Sequence, residues 1–272
     1  MEYFMSDQCV QVTIDDGIAY VLLNRPEKMN AINYLMFSQL DRAIKNIKKN
    51  RRIRAVILSG AGGNFSSGLD VKSVMSAPMQ AVKLLFKWLP GNANLAQRVS
   101  LGWQRLPVPV IAVLDGCCFG GGMQIALGAD IRIANRDSQL SIMEAKWGLV
   151  PDMAGLVTLR QIMPKDQAML LTLTAKVMGG EEALSLGLVT QLSEQPMVAA
   201  KQLAAQLCKT SPDAAAAIKQ STNSSWTASL RSLLSRESLS QIKLLLGKNR
   251  TIAAVRQLKD PDKPYRDRQS GW

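Results

Sequence analysis

The stretch Val108-Pro109-Val110-Ile111-Ala112-Val113-Leu114-Asp115-Gly116-Cys117-Cys118-Phe119-Gly120-Gly121-Gly122-Met123-Gln124 decides the class of fold. Pro109 to Leu114 is a short apolar run and reads as a buried strand. Asp115-Gly116 ends it, and the segment from Gly116 to Leu127 runs from a glycine-rich turn into a helix. Glycine inside a helix costs roughly 1 kcal/mol relative to alanine. Three in a row therefore need a reason, either close approach of a ligand to the backbone or close packing of helix on sheet. The stretch is not a Walker A loop, because no Gly-Lys-Ser/Thr follows, and it is not GxGxxG.

The same strand–turn–helix grammar extends outward in both directions. Val10, Val12 and Ile14 alternate with polar residues up to Asp15-Asp16-Gly17, and Ile18 to Leu23 follows, as expected of a hairpin. Pro26 ends it. Ile32, Leu35, Met36, Leu40, Ile44 and Ile47 have helical spacing. Arg54 to Ser59 reads as a buried strand closed by Gly60-Ala61-Gly62-Gly63. A mixed helical region spans roughly 70–105, and Ile131 to Ala134 and Gln139 to Ile142 read as short strands. After 153 the chain is mostly helical. Strands alternating with helices predict an α/β core. No linker or repeat divides the chain, so the reading is one domain: a core over 1–195 that holds the site, with a helical C-terminal extension over 196–272 packed as part of it.

Composition removes whole mechanisms. The 272 residues include no histidine. That excludes Ser-His-Asp and Cys-His nucleophile pairs, HExxH zinc sites and proximal-His haem. Acid–base chemistry falls to Asp, Glu, Lys, Tyr, Cys or the backbone. Hydrophobic residues make up 47% and charged residues 20%, an ordinary globular balance. The formal net charge is +12. Residues 200–272 carry 13 Lys/Arg against 5 Asp/Glu, and a second basic cluster runs from Lys45 to Arg54. Such a balance suits phosphate-bearing partners, whether nucleic acid or a cofactor, or simply a solvated surface. Cys9, Cys117, Cys118 and Cys208 form no CxxC pair, so neither a zinc site nor a disulfide framework is expected. Met1 to Gln8 does not read as a signal or transit peptide, and no apolar run reaches the roughly 18–20 residues of a membrane span. The expectation is a soluble, cytoplasmic protein.

Three segments carry candidate chemistry. Gly62-Gly63-Asn64-Phe65-Ser66-Ser67-Gly68-Leu69-Asp70 is a glycine-rich turn that opens a helix at Asp70 and exposes backbone N–H groups. The run Gly120 to Gly122 is the second. In the third, Met143 to Gly155, the acids Glu144 and Asp152 sit among apolar residues, where a carboxylate tends to a raised pKa suited to moving a proton near pH 7. Asp152 could equally cap a helix starting near Met153.

Taken together, these segments resemble the enoyl-CoA hydratase/isomerase (crotonase) family over roughly residues 10–268. The resemblance rests on the order and spacing of Leu23-Asn24-Arg25-Pro26-Glu27-Lys28-Met29-Asn30-Ala31, Phe65-Ser66-Ser67-Gly68-Leu69-Asp70, Asp115-Gly116 with Phe119-Gly120-Gly121-Gly122, and Gly148-Leu149-Val150-Pro151. Glu182-Ala183 with Gly187-Leu188-Val189 adds to it. It implies an α/β spiral of ββα units with C-terminal helices that build a homotrimer or hexamer.

It also implies an acyl-CoA thioester as substrate, with CoA entering as part of that substrate, no tightly bound cofactor and no metal. The backbone N–H groups of Leu69 and Gly121 would form an oxyanion hole. CoA contacts would fall at Arg25, Lys28, Ala31, Ser67, Gly68, Asp70, Lys72 and Gly120, with Lys259 and Lys263 of the basic tail as further phosphate contacts. Family hydratases use two glutamates, at the positions of Gln124 and Glu144. Glu144 alone resembles the isomerases that move a proton from C2 to C4. Asp152 resembles the dienoyl-CoA isomerases, where two acids move a proton between C6 and C2, with Asp152 as the base at C6 and Glu144 as the acid at C2. Hydration by Glu144 with Gln124 orienting water is the alternative. A thioester hydrolase, a decarboxylase and an RNA-binding member lie further off. Residues 75–105, including Met75, Met79, Leu84, Leu85, Phe86, Trp88 and Leu89, would line the acyl pocket.

Overall fold

The computed structural model describes residues 9–272. Met1 to Gln8 and the side chain of Met75 lie outside the described residues. The hairpin forms as expected: β1 (Val10–Asp15) pairs antiparallel with β2 (Ile18–Leu23) across Asp16 and Gly17. Both turn residues have positive φ (43° and 75°), which matches the right-handed strand twist. A 3-10 turn over Pro26–Lys28 leads to α1 (Tyr34–Lys49), capped by the Asn33 side chain, which accepts from Met36 N–H at 2.9 Å. Met36, Phe37, Leu40, Ile44 and Ile47 face the core, whereas Leu35 is exposed. Next come β3 (Ala55–Gly60), α2 (Val71–Met75), α3 (Pro78–Leu85), α4 (Leu95–Gln104) and β4 (Val110–Leu114).

The expectation of a turn running straight from Gly116 into a helix is corrected. Cys117–Phe119 is a strand, β5, and α5 begins only at Gly121 and ends at Leu127. β6 (Ile131–Ala134), β7 (Gln139–Ser141), a 3-10 turn over Glu144–Trp147, α6 (Gly155–Ile162), α7 (Lys165–Thr174), α8 (Gly180–Ser185) and β8 (Gln191–Leu192) follow. The chain closes with α9 (Pro196–Cys208), α10 (Pro212–Ser225), α11 (Leu230–Leu245) and α12 (Lys248–Leu258).

The main sheet has the order β1-β2-β3-β4-β6-β8, parallel beyond the first pair, and β5 pairs with β7 in a second, parallel sheet. β3 shows why its sequence is an unbroken apolar run. Val56 and Leu58 face the core under α1 and α4, while Ala55 and Ile57 face Ala200 and Ala204 of α9. A parallel strand covered on both faces has no polar side to show.

Part of the basic tail is internal. Lys219 Nζ donates to the carbonyls of Trp103 and Val108, both at 2.8 Å, and pairs with Asp130 at 2.6 Å. Arg268, 2% exposed, donates to the Lys48 carbonyl at 3.2 Å. Those two charges hold the C-terminal region onto the core. Among the described residues, no helix is long and apolar enough to cross a membrane.

Candidate active site

The two sheets bring the three candidate segments to one place. Ile32 N–H donates to the Gly68 carbonyl at 2.8 Å and Asp70 N–H donates to the Ile32 carbonyl at 3.0 Å. Leu69 lies between these bonds, so its own N–H turns away from that bridge. On the other side, Ser66 bridges Cys118 of β5. A Cβ built on Gly121 would stand 3.7 Å from Leu69 N. The two backbone nitrogens are therefore neighbours, one from a turn and one from the first residue of α5. Neither N–H has an acceptor among the described residues.

The glycine run resolves into separate demands. Gly120 has φ 48° and ψ −119°, a conformation closed to residues with a side chain. A Cβ there would also lie 3.4 Å from Glu144 Oε1. Gly122 is a packing position, since its Cβ would fall 2.6 Å from Ser66 Cβ. Close packing and backbone conformation thus account for two of the three, and Gly121 remains the one whose N–H opens onto the site.

Glu144 starts the 3-10 turn after β7 and is 9% exposed. Gln124, 1% exposed, donates from Nε2 to Glu144 Oε1 at 2.6 Å. Its Oε1 accepts the N–H groups of Met153 at 2.9 Å and Gly155 at 3.0 Å. Those two donors fix which end of the amide is oxygen. Gln124 therefore clamps one oxygen of Glu144 and ties it to the turn before α6. Glu144 Oε2 is buried and has no hydrogen-bond partner among the described residues. Burial pushes the Glu144 carboxyl above its ordinary value; backbone bonds and the Gln124 bond pull part of that back, and the charge of Asp152 adds to the rise.

Asp152 does not cap a helix at Met153. α6 begins at Gly155 after Ala154, which has φ 66°. The Asp152 residue is exposed at its surface, yet its carboxyl is set deeply enough for partial burial to raise its pKa, against a backbone bond and the charge of Lys87.

The expected CoA contacts divide. Arg25 Nη1 donates to the Ala31 carbonyl at 2.5 Å and pairs with Asp70 at 3.2 Å. Asp70 also caps α2, accepting from Ser73 N–H at 3.1 Å. Arg25, Ala31 and Asp70 thus form a clamp within the protein. Ser67 N–H donates to the Met29 carbonyl at 2.8 Å and holds the turn at Lys28. Lys28, Lys72, Lys259 and Lys263 are exposed. In the 75–105 segment, Leu84 is in the core while Met79, Leu85, Trp88 and Leu89 are 55–87% exposed. The larger cavity beside the site, about 680 Å³, has none of these residues in its wall. Sequence reasoning missed the roles of Met153 and Gly155, whose backbone donors leave no trace in side-chain type.

Two free N–H groups beside a buried, half-satisfied carboxylate can hold a developing oxyanion while a proton moves next to it. The model of the enoyl-CoA hydratase/isomerase family matches residues 13–245, and the chain belongs to that family. It is 30% identical over 197 residues, 71% of each chain, to the peroxisomal Delta(3,5)-Delta(2,4)-dienoyl-CoA isomerase of Arabidopsis thaliana. It is 31% identical over 240 residues, 87% of this chain and 88% of the other, to the 1,2-epoxyphenylacetyl-CoA isomerase of Escherichia coli K12. The crystal structure of an enoyl-CoA hydratase from Thermoplasma volcanium superposes with a TM-score of 0.81 at 27% identity, covering 92% of this chain and 97% of that one. The fold is accordingly the crotonase-type α/β spiral with C-terminal helices.

Proposed function

We propose that the protein shifts a carbon–carbon double bond of an enoyl- or dienoyl-CoA thioester through an enolate. Glu144 Oε2 takes a proton from C2, and the electron pair moves onto the thioester oxygen, held by the N–H groups of Leu69 and Gly121. On a 3-enoyl substrate Glu144 returns that proton at C4 as the enolate collapses. On a 3,5-dienoyl substrate Asp152 starts protonated and gives its own proton to C6, the reverse of the roles the resemblance implied, because the 3,5-to-2,4 shift removes hydrogen from C2. Exchange with water then resets both carboxyls. The observation that carries this reading is the state of Glu144: one oxygen clamped by Gln124, the other buried without a hydrogen-bond partner among the described residues. Gln124 has its oxygen occupied by two backbone donors and its amide on Glu144, so it acts as a positioning residue rather than as a second group to activate water. The name of one relative, a dienoyl-CoA isomerase, supports the same chemistry, and that of another, an isomerase of an epoxide-bearing acyl-CoA, supports a CoA thioester as substrate. The exposed Lys28 and Lys72 would meet the phosphates of CoA.

Incubation of the purified protein with 3-enoyl-CoA and 3,5-dienoyl-CoA, followed by absorbance of the conjugated product, tests it. Turnover of either supports the reading. No rate above background on both, with clear hydration of crotonyl-CoA, rejects it in favour of a hydratase.

A further inference from the structure

The cavity of about 680 Å³ lies between α4, α6, α10 and α11. Its size is that of a small-molecule site, but its wall is unlike the apolar tunnel an alkyl chain needs. Four cations line it, Lys87, Arg105, Arg160 and Arg236, together with six side-chain amides and no carboxylate. Among the described residues, none of the four forms a salt bridge. Arginines elsewhere in the fold do: Arg98 pairs with Asp41 and Arg25 with Asp70. Among the described residues, the one side-chain hydrogen bond from these four is Arg160 Nη2 donating to Thr227 Oγ1 at 3.4 Å. Concave walls of one sign raise the local potential and select ligands of the other. Three of the four cations are arginines, whose planar fork matches a carboxylate.

One wall of the cavity adjoins the segment that carries the reaction centre. Ala154 is part of its wall, and the neighbours of Ala154 in sequence, Met153 and Gly155, are the residues whose N–H groups hold Gln124. Lys87, also in the wall, is the cation whose charge acts on Asp152. A chain attached at the thioester and passing Glu144 and Asp152 would enter there.

We infer that this cavity receives the far end of the acyl group and that the preferred substrates are acyl-CoA thioesters whose chain carries a distal carboxylate. The inference rests on the proposed reading only in placing the thioester at Glu144. The test is therefore a binding measurement with unreactive, saturated ligands: suberyl-CoA and octanoyl-CoA, equal in chain length, with free CoA as the third titrant. Calorimetry at low salt is expected to show suberyl-CoA bound at least about ten-fold more tightly than octanoyl-CoA. Added salt should narrow the gap, since the cations face solvent. The double variant Arg160→Met/Arg236→Met should bring the two ligands within about two-fold of each other, and Arg160→Lys/Arg236→Lys should keep part of the preference. Unaltered melting of both variants checks the fold. Equal affinity of the wild type for the two ligands overturns the inference. So does a Met variant that weakens free CoA as much as suberyl-CoA, because the cations would then serve the phosphates of CoA. A preference for suberyl-CoA in a protein that turns over no enoyl-CoA upholds the subsite and overturns only the proposed reaction.

Discussion

Asp41 and Glu144 are equally covered from solvent, each 9% exposed, although Glu144 lies deeper, and their pKa values shift in opposite directions. Burial pushes both up. At Asp41, on α1, hydrogen bonds and charge from Arg98 at 3.0 Å and Lys45 at 2.7 Å outweigh it and hold the pKa below the ordinary carboxylate range. Glu144 is given a neutral amide instead of a cation, and its pKa rises. The contrast shows that the protein can satisfy a buried acid when its role is structural. At Glu144 one oxygen is left unsatisfied, the state that suits a proton carrier.

The largest break in this contrast comes from Glu144→Gln. It should lower kcat/KM by about 10³-fold or more, the scale of a lost general base, with acyl-CoA affinity held within about three-fold. Steady-state kinetics beside calorimetry check this, and retained turnover would mean the proton travels elsewhere. Gln124→Ala should come next. A loosened base costs about 10²-fold, and for a positioning residue the loss should appear in kcat more than in KM. Gln124→Glu sharpens the point: a second carboxylate 2.6 Å from the first must move the acid limb of the pH–rate profile further up.

In the wild type that limb should already lie above the ordinary carboxylate pKa, because burial raises the Glu144 carboxyl and a base works only when ionised. Asp152→Asn should cost about ten-fold or more on 3,5-dienoyl-CoA and less on 3-enoyl-CoA. Equal losses on the two would remove Asp152 from the C6 step.

The smallest effects are on stability, and they have opposite signs. A carboxyl with a depressed folded pKa stabilises above its unfolded pKa, and that contribution is lost as pH falls through the folded value. Asp41→Asn should therefore destabilise by about 1 kcal/mol at pH 7, a figure kept low by the solvent around its partners. The deficit should close in acid, below the ordinary carboxylate range. For Glu144 the folded pKa is raised. Its proton stabilises the fold below the unfolded pKa, and that contribution is lost as pH rises through the folded value. Glu144→Gln should then raise stability at pH 7 by about 0.5–1 kcal/mol, with the gain vanishing in acid. Thermal melts of both variants from pH 3 to pH 8 check the pair, and a shared sign at neutral pH would end the comparison.

Much of the site was legible because its signals are local. A glycine run after a buried strand, an acid in an apolar segment and a capping Asp70 are each visible within about ten residues, and their common order pointed to the family. The clamp at Gln124 was not legible, because its partners lie 20 to 31 residues away and two of them are backbone groups. The exposure of Phe86 and Trp88, which line a second cavity of about 600 Å³, was not legible for a related reason. Apolar side chains announce burial, but α3 ends at Leu85 and leaves Trp88 87% exposed.

The amino-acid sequence alone determined that this chain supplies no imidazole, that the core alternates strand and helix, and that Glu144 and Asp152 stand as acids in an otherwise apolar segment. Periodicity and residue type suffice for that, since both act through the nearest turns of chain. Only the tertiary structure decided which oxygen of Glu144 is free, which two N–H groups lie side by side, and which cations converge on the cavity beyond Ala154. Hydrogen bonds and electrostatic fields depend on distances through space. Those distances exist only once the two sheets and the C-terminal helices have packed.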